Sequence, residues 1–380
     1  MSETTPETPE TNPEETTEPQ TLTLSSSHSA NMGPMFGELG ISVMVTTYQA
    51  GRLVILERND QGTLNNHFCQ FVRPMGLAIY REYLALGNHC AIDEFHDLPA
   101  VARNIKTPGS FDAAYLPRMN YHTGEIQIHE MAWLAPPPGV QNPELIFVNT
   151  RFSCLCRREM PYSFTPIWRP RFISAIAPED RCHLNGLGLR DNRPWYATAL
   201  GESDTRAGWR ENKKDGGILI DIQADEIIAR GLSMPHSPRW YNGRLWVLNS
   251  GFGSFGTIDL ATGKYIEVAR LPGFTRGLDF FGNLAFIGLS QVRESATFSG
   301  IEIADRPLEE RCCGMWVVDI QTGQTVGMVK FGDALQEIFA VAVLPRRRAA
   351  VVTENQSLLE DSFVLPDAAL LDVEQSYVQR

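Results

Sequence analysis

SPRWYNGRLWVLN (237–249), followed by FGTIDLATGKYIEVARL (255–271), is the stretch whose reading decides the architecture. It holds four short runs rich in β-branched and aromatic residues, with no helical periodicity, which predicts two antiparallel strand pairs. The second pair turns at Asp259-Leu-Ala-Thr-Gly263. There the glycine supplies a positive φ and the aspartate accepts a local backbone hydrogen bond, as a tight hairpin requires. Asn120-Tyr-His-Thr-Gly124 and Asp319-Ile-Gln-Thr-Gly323 share that chemistry, so hairpins are expected there too.

Working outward from these turns, outer strand pairs fall at about 52–72, 111–131, 152–172, 216–234, 255–272 and 314–331. Inner pairs fall at about 74–88, 132–149, 185–201, 237–249, 277–289 and 338–354. Six four-stranded units at such a period predict an all-β, six-bladed β-propeller, because one blade cannot bury both faces and needs neighbours around a ring. The first unit opens with an outer pair and the last ends with an inner pair. Strands from the N- and C-terminal ends are therefore expected to share one blade, which closes the ring and removes exposed edges. Residues 36–48 and 362–371 find no place in this scheme.

The expected organisation is an acidic Thr/Glu/Pro-rich tail over 1–35 and a single domain over 36–380. The tail carries six glutamates and no Lys or Arg. It is too poor in apolar side chains to offset its ordering entropy, which predicts disorder. It accounts for six of the net charge of −12, so the body is only mildly acidic and nucleic acid is not an expected partner. No secretory signal pattern and no apolar run long enough for a membrane helix is visible, and the seven cysteines do not form a disulfide framework. A cytoplasmic protein with reduced thiols is expected, without a membrane partner.

His129, His183 and His236 recur at intervals of 54 and 53 residues. Aligning the six handovers from outer to inner pair puts Arg73, His129, His183, His236, Arg276 and Glu337 at matching positions, which should ring one mouth of the channel. Three imidazoles there predict a divalent transition metal, zinc first, with iron or copper as alternatives, and a water or Glu337 completing the shell. Arg73, Arg276 and Glu337 are the candidate catalytic groups. Asn185, expected to point the same way as His183, joins Arg206, Arg210 and Arg293 in the longer polar loops as candidate substrate-binding residues. The expected activity is that of a metal-dependent lyase or hydrolase on a small anionic or peptide-like substrate. The alternatives are a non-catalytic propeller that binds a protein or peptide on its loop face, and a metal-dependent oxidase.

The segments FHDLPAVARNI (95–105), VNTRFSCL (148–155), APEDRCHLNGL (177–187), MPHSPRWYNGRLWVLNSG (234–251), LPGFTRGLDF (271–280) and IGLSQVRESATFSGI (287–301) resemble a bacterial family of hypothetical proteins, found in cyanobacteria and proteobacteria and sometimes associated with tetratricopeptide segments. The resemblance spans about residues 36–370 and implies no activity. A looser similarity, of architecture and of His129, His183 and His236 only, is to the lyase that cleaves peptidyl-α-hydroxyglycines. That six-bladed propeller holds zinc with three axial histidines, and its tyrosine and arginine chemistry has no counterpart motif here.

Overall fold

The computed structural model describes residues 24–103, 105, 110–292, 298–374 and 376. Its strands form six small sheets. Blade 1 comprises Leu77–Tyr80, Tyr83–Gly87, Ala91–Asp97 and Ala113–His122; blade 2, Ile128–Leu134, Glu144–Asn149, Cys154–Arg157 and Thr165–Trp168. Blade 3 comprises Leu184–Arg190, Arg193–Ala199, Gly217–Asp221 and Glu226–Leu232; blade 4, Pro235–Tyr241, Arg244–Asn249, Ser254–Ile258 and Tyr265–Arg270. Blade 5 comprises Phe274–Phe281, Leu284–Ser290, Gly314–Asp319 and Thr325–Phe331. In blade 6, Val341–Leu344 from the C-terminal side pairs with Ser42–Thr47, and Arg52–Arg58 and Leu64–Gln70 follow. The innermost strand of each blade contacts that of the next, and the strand of blade 6 contacts that of blade 1, so the ring is closed. The fold is a six-bladed β-propeller.

The apolar core is divided into wedges between neighbouring blades. Met44, Leu53, Leu86 and Tyr115 fill the wedge between blades 6 and 1, Val148, Leu184 and Ala197 that between blades 2 and 3, and Trp246, Leu278 and Ile287 that between blades 4 and 5. Strands buried on both faces explain the near-continuous apolar runs in the sequence.

Three boundaries differ from the sequence expectation. The shared blade takes one strand from the C-terminal side and three from the N-terminal side, where two and two were expected. Ser42–Thr47 is buried along its whole length, so it shows none of the alternation that marks a half-buried strand. After Leu344 the chain meets Pro345 and three arginines, and Ala349–Val351 crosses to blade 1, where it pairs in parallel with Ala113–Tyr115. Second, Asn120–Gly124 is not a hairpin turn: residues 120–122 end the fourth strand of blade 1, whose partner is Ala91–Asp97, and the chain then passes to blade 2. Third, ordered structure starts before residue 35. Ser26–His28 adds a strand to the outer edge of blade 5, and helix Met32–Leu39 buries Met32 and Phe36 between blades 5 and 6. Averaging composition over 35 residues hid this short apolar cluster. The expected disorder of residues 1–23 lies outside the described residues. Among the described residues, no helix is long and apolar enough to cross a membrane.

Candidate functional site

Five of the six handover residues, Arg73, His129, His183, His236 and Arg276, line one cavity of about 370 Å³ at a mouth of the channel. Tyr48, Trp209, Arg210, Phe274, Phe298 and Phe339 share its walls. Rotational symmetry does the gathering: equivalent positions on successive blades converge on the axis.

Each imidazole is held by its Nδ1 atom. In His129 and His236, Nδ1 lies 3.0 and 2.9 Å from the carbonyl oxygens of Gln127 and Met234, two residues back, and both of those residues have positive φ. The left-handed backbone turns each carbonyl toward the ring that follows. Hydroxyls of Thr150 and Ser250, at 2.8 and 3.0 Å, brace the same atoms; each follows an asparagine, Asn149 or Asn249, at the end of its blade's second strand. Blades 2 and 4 thus carry the same device. His183 differs, with Nδ1 3.0 Å from both carboxylate oxygens of Asp180, which also accepts from Trp209 Nε1 at 3.0 Å.

Donation from Nδ1 to a carbonyl or carboxylate assigns the proton to Nδ1 and leaves Nε2 as a lone pair. His129 Nε2 is buried and has no hydrogen-bond partner. Among the described residues, Nε2 of His183 and of His236 makes no hydrogen bond either. Burial, reinforced by His183 and Arg276, holds the pKa of His129 and His236 well below the usual histidine value, so both rings are neutral at pH 7.

This donor set has the chemistry of a transition-metal site, in which a hydrogen bond at one ring nitrogen fixes the other toward the ion. Two imidazoles sharing a tetrahedral ion place their ring centroids about 5 Å apart, and the His129 and His183 rings are 4.9 Å apart. The third ring stands off, packed at 5.5 Å against Phe274. Among the described residues, no group of three or more His, Cys, Asp or Glu side chains could hold a metal ion as they stand. The residues that would hold such an ion are His129, His183 and His236.

The remaining expected site residues separate into two groups. Arg276 is buried, with its guanidinium carbon 3.7 Å from the Phe339 ring centroid. Arg73, at the rim, donates from Nη1 to His89 Nδ1 at 3.0 Å. Arg210 lies over the Trp209 ring at 4.2 Å and lines both the cavity and an open vestibule, which Arg206 also lines. Arg293 lies outside the described residues.

Glu337 and Asn185, expected at the cavity, do not line it. Glu337 is buried behind Tyr48, whose hydroxyl donates to its Oε1 at 2.9 Å, and it is absent from the cavity wall. It positions Tyr48, and its second carboxylate oxygen is buried without a hydrogen-bond partner. Burial raises its pKa, against the opposing pull of Arg276 and the Tyr48 hydrogen bond. Asn185 does not follow His183 into the cavity, because His183 has a φ of +51° and strand alternation starts only at Leu184. Its amide bridges blades 3 and 4, donating to Pro235 O and accepting from Thr198 Oγ1. Sequence reading missed Tyr48, Asp180, Trp209 and Phe339. Only Asp180, three residues before His183, left a readable trace.

The opposite mouth is wider, about 840 Å³, and its most buried charges have partners. Glu130 receives both terminal nitrogens of Arg239 at 3.0 Å, and Asp279 accepts from the backbone of Phe280 and Val343. Among the described residues, the unpartnered His129 Nε2 faces the histidine mouth, which makes that mouth the candidate site.

Residues 30–352 match a domain of unknown function, DUF4915, and the chain belongs to that family. No curated protein is significantly similar in sequence. Among solved structures, a chain of a nidogen/laminin complex is similar over 80% of this chain and 99% of its own, with 9% identity and a TM-score of 0.50. A protein of unknown function from Bacteroides caccae is similar over 80% and 99%, with 10% identity and a TM-score of 0.49.

Proposed function

We propose that the protein is a metal-dependent lyase or hydrolase acting on a small anionic substrate in the histidine-lined cavity. The observation that carries this reading is the shared orientation of three imidazoles. Each is pinned at Nδ1, which leaves three Nε2 lone pairs around one chamber. His129 and His183 would hold a divalent transition metal, zinc before iron or copper, with His236 closing onto it. Such an ion polarises a carbonyl or lowers the pKa of water. Arg276 and the rim residues Arg73 and Arg210 attract the substrate's negative charge, and Trp209 with Phe339 excludes water. Reduced, mostly buried cysteines support a cytoplasmic setting.

Metal analysis of the purified protein tests the reading. About one equivalent of transition metal is expected, lost in His183→Ala; no metal, or metal retained in that variant, refutes it. The stand-off of His236 favours a second reading, in which the cavity binds a small anion without a metal and without catalysis. Redox-active iron or copper in the site would instead point to oxidation.

A further inference from the structure

Among the described residues, Arg276 is the one buried cation of the cavity wall, 9% exposed. Among the described residues it has no hydrogen bond and no ion pair within 4.0 Å. Burial pushes its pKa down, yet a guanidinium remains charged. One face is covered by Phe339, which leaves the hydrogen-bonding edge as the part open to a ligand. Glu337 acts on it from behind Tyr48, but among the described residues no acceptor meets its hydrogen-bonding edge, and a bound anion that supplies one offsets the cost of burying the charge.

The surroundings narrow the anion. A guanidinium edge satisfies both oxygens of a carboxylate with two parallel hydrogen bonds. A phosphate docked in the same place would need further cationic donors to satisfy its remaining oxygens. The other lining arginines, Arg73 and Arg210, are at the rim, the first already donating to His89 and the second lying over Trp209. Beyond Arg276 the wall is aromatic. Phe274 and Phe298 meet edge to face at 5.2 Å, and Trp209 packs against His183 at 4.6 Å.

We infer that the ligand of this cavity is a small monocarboxylate with an apolar, aromatic-sized body, its carboxylate on Arg276 and its body against Phe274, Phe298 and Trp209. This deepens the reading of the cavity as the functional centre, but it does not depend on a metal being bound there.

Calorimetric titration of the purified protein, as isolated and after chelator treatment, tests it with four probes: 3-phenylpropanoate, its uncharged amide, acetate and inorganic phosphate. The carboxylate is expected to bind, and its affinity to fall at least about tenfold in the amide and in Arg276→Gln, a charge-assisted pair being lost. Arg276→Lys should keep part of the affinity. Phe298→Leu, which leaves Arg276 in place, should weaken 3-phenylpropanoate and leave acetate unaffected. The inference is overturned by phosphate binding as tightly as 3-phenylpropanoate, by unchanged affinity in a folded Arg276→Gln, or by no binding of 3-phenylpropanoate at about 10 mM. Carboxylate binding that survives in metal-free protein, with no metal found on isolation, removes the metal reading and keeps this one; a metal-loaded protein that ignores the carboxylate does the reverse.

Discussion

Replacing Arg239 with alanine should cost several kcal/mol of stability while leaving the histidine mouth in place. Arg239 rises from blade 4 into the channel and donates to Glu130 of blade 2 through both terminal nitrogens at 3.0 Å, to Leu187 O of blade 3 at 3.1 Å and to Leu278 O of blade 5 at 3.1 Å. One side chain thus ties four inner strands across the axis. Glu130 also accepts from Leu187 N, and its side chain is 14% exposed. Truncation leaves a nearly buried carboxylate with one neutral donor, and breaking a buried ion pair from one side costs about 3–5 kcal/mol. At an unfolding entropy of about 2 cal/mol/K per residue, a domain of this size should lose about 4–7 °C in Tm. Thermal and urea denaturation of Arg239→Ala, Glu130→Gln and the double variant provide the assay. The double variant should be less destabilised than the sum of the singles, since removing both charges leaves none unpaired. A loss below about 1 kcal/mol in Arg239→Ala, or strict additivity, would refute the assignment of this pair as the bar across the channel.

Three further outcomes follow from the same geometry. Burial raises the Glu94 pKa to about 7 against the opposing Arg158, which lies 3.0 Å away but out of hydrogen-bonding alignment. A carboxyl whose folded pKa is raised contributes stability that is fully present below about pH 4.5 and is lost as pH rises through about 7, so Glu94→Gln should match the parent near pH 4 and exceed it by up to about 3 kcal/mol near pH 8 in urea titrations. Asp180→Asn should weaken transition-metal affinity about tenfold to a hundredfold in a competition titration, because the anchor of His183 becomes neutral; unchanged affinity would separate Asp180 from the site. A Cβ on Gly76 would lie 2.2 Å from the carbonyl oxygen of His129, so Gly76→Ala should both lower Tm and perturb the His129 ring resonances.

The ring was legible because hairpin turns such as Asp259–Gly263 carry local chemistry that no packing alters, and because blades repeat. Less legible were the places where tertiary context decides. Ser42–Thr47 is a strand only because blades bury both its faces, and Ala349–Val351 leaves its expected blade to cover a neighbour's edge. The same division holds at the site. His129, His183 and His236 were readable from spacing alone, since symmetry turns an interval into a location. Asn185 was misread because a positive φ at His183 resets strand alternation, and Glu337 because Tyr48, from a segment without pattern, stands in front of it. Trp209 arrives on a short helical turn, Gly208–Asn212, within a loop whose composition reads only as polar.

The orientation of the three imidazoles can be measured directly by long-range ¹⁵N–¹H correlation of the histidine rings in labelled protein. Nδ1–H tautomers are expected for His129, His183 and His236, and one equivalent of Zn²⁺ should shift all three Nε2 resonances together. Nε2–H tautomers, or a zinc titration that leaves His236 unmoved while His129 and His183 respond, would contradict a single three-imidazole centre.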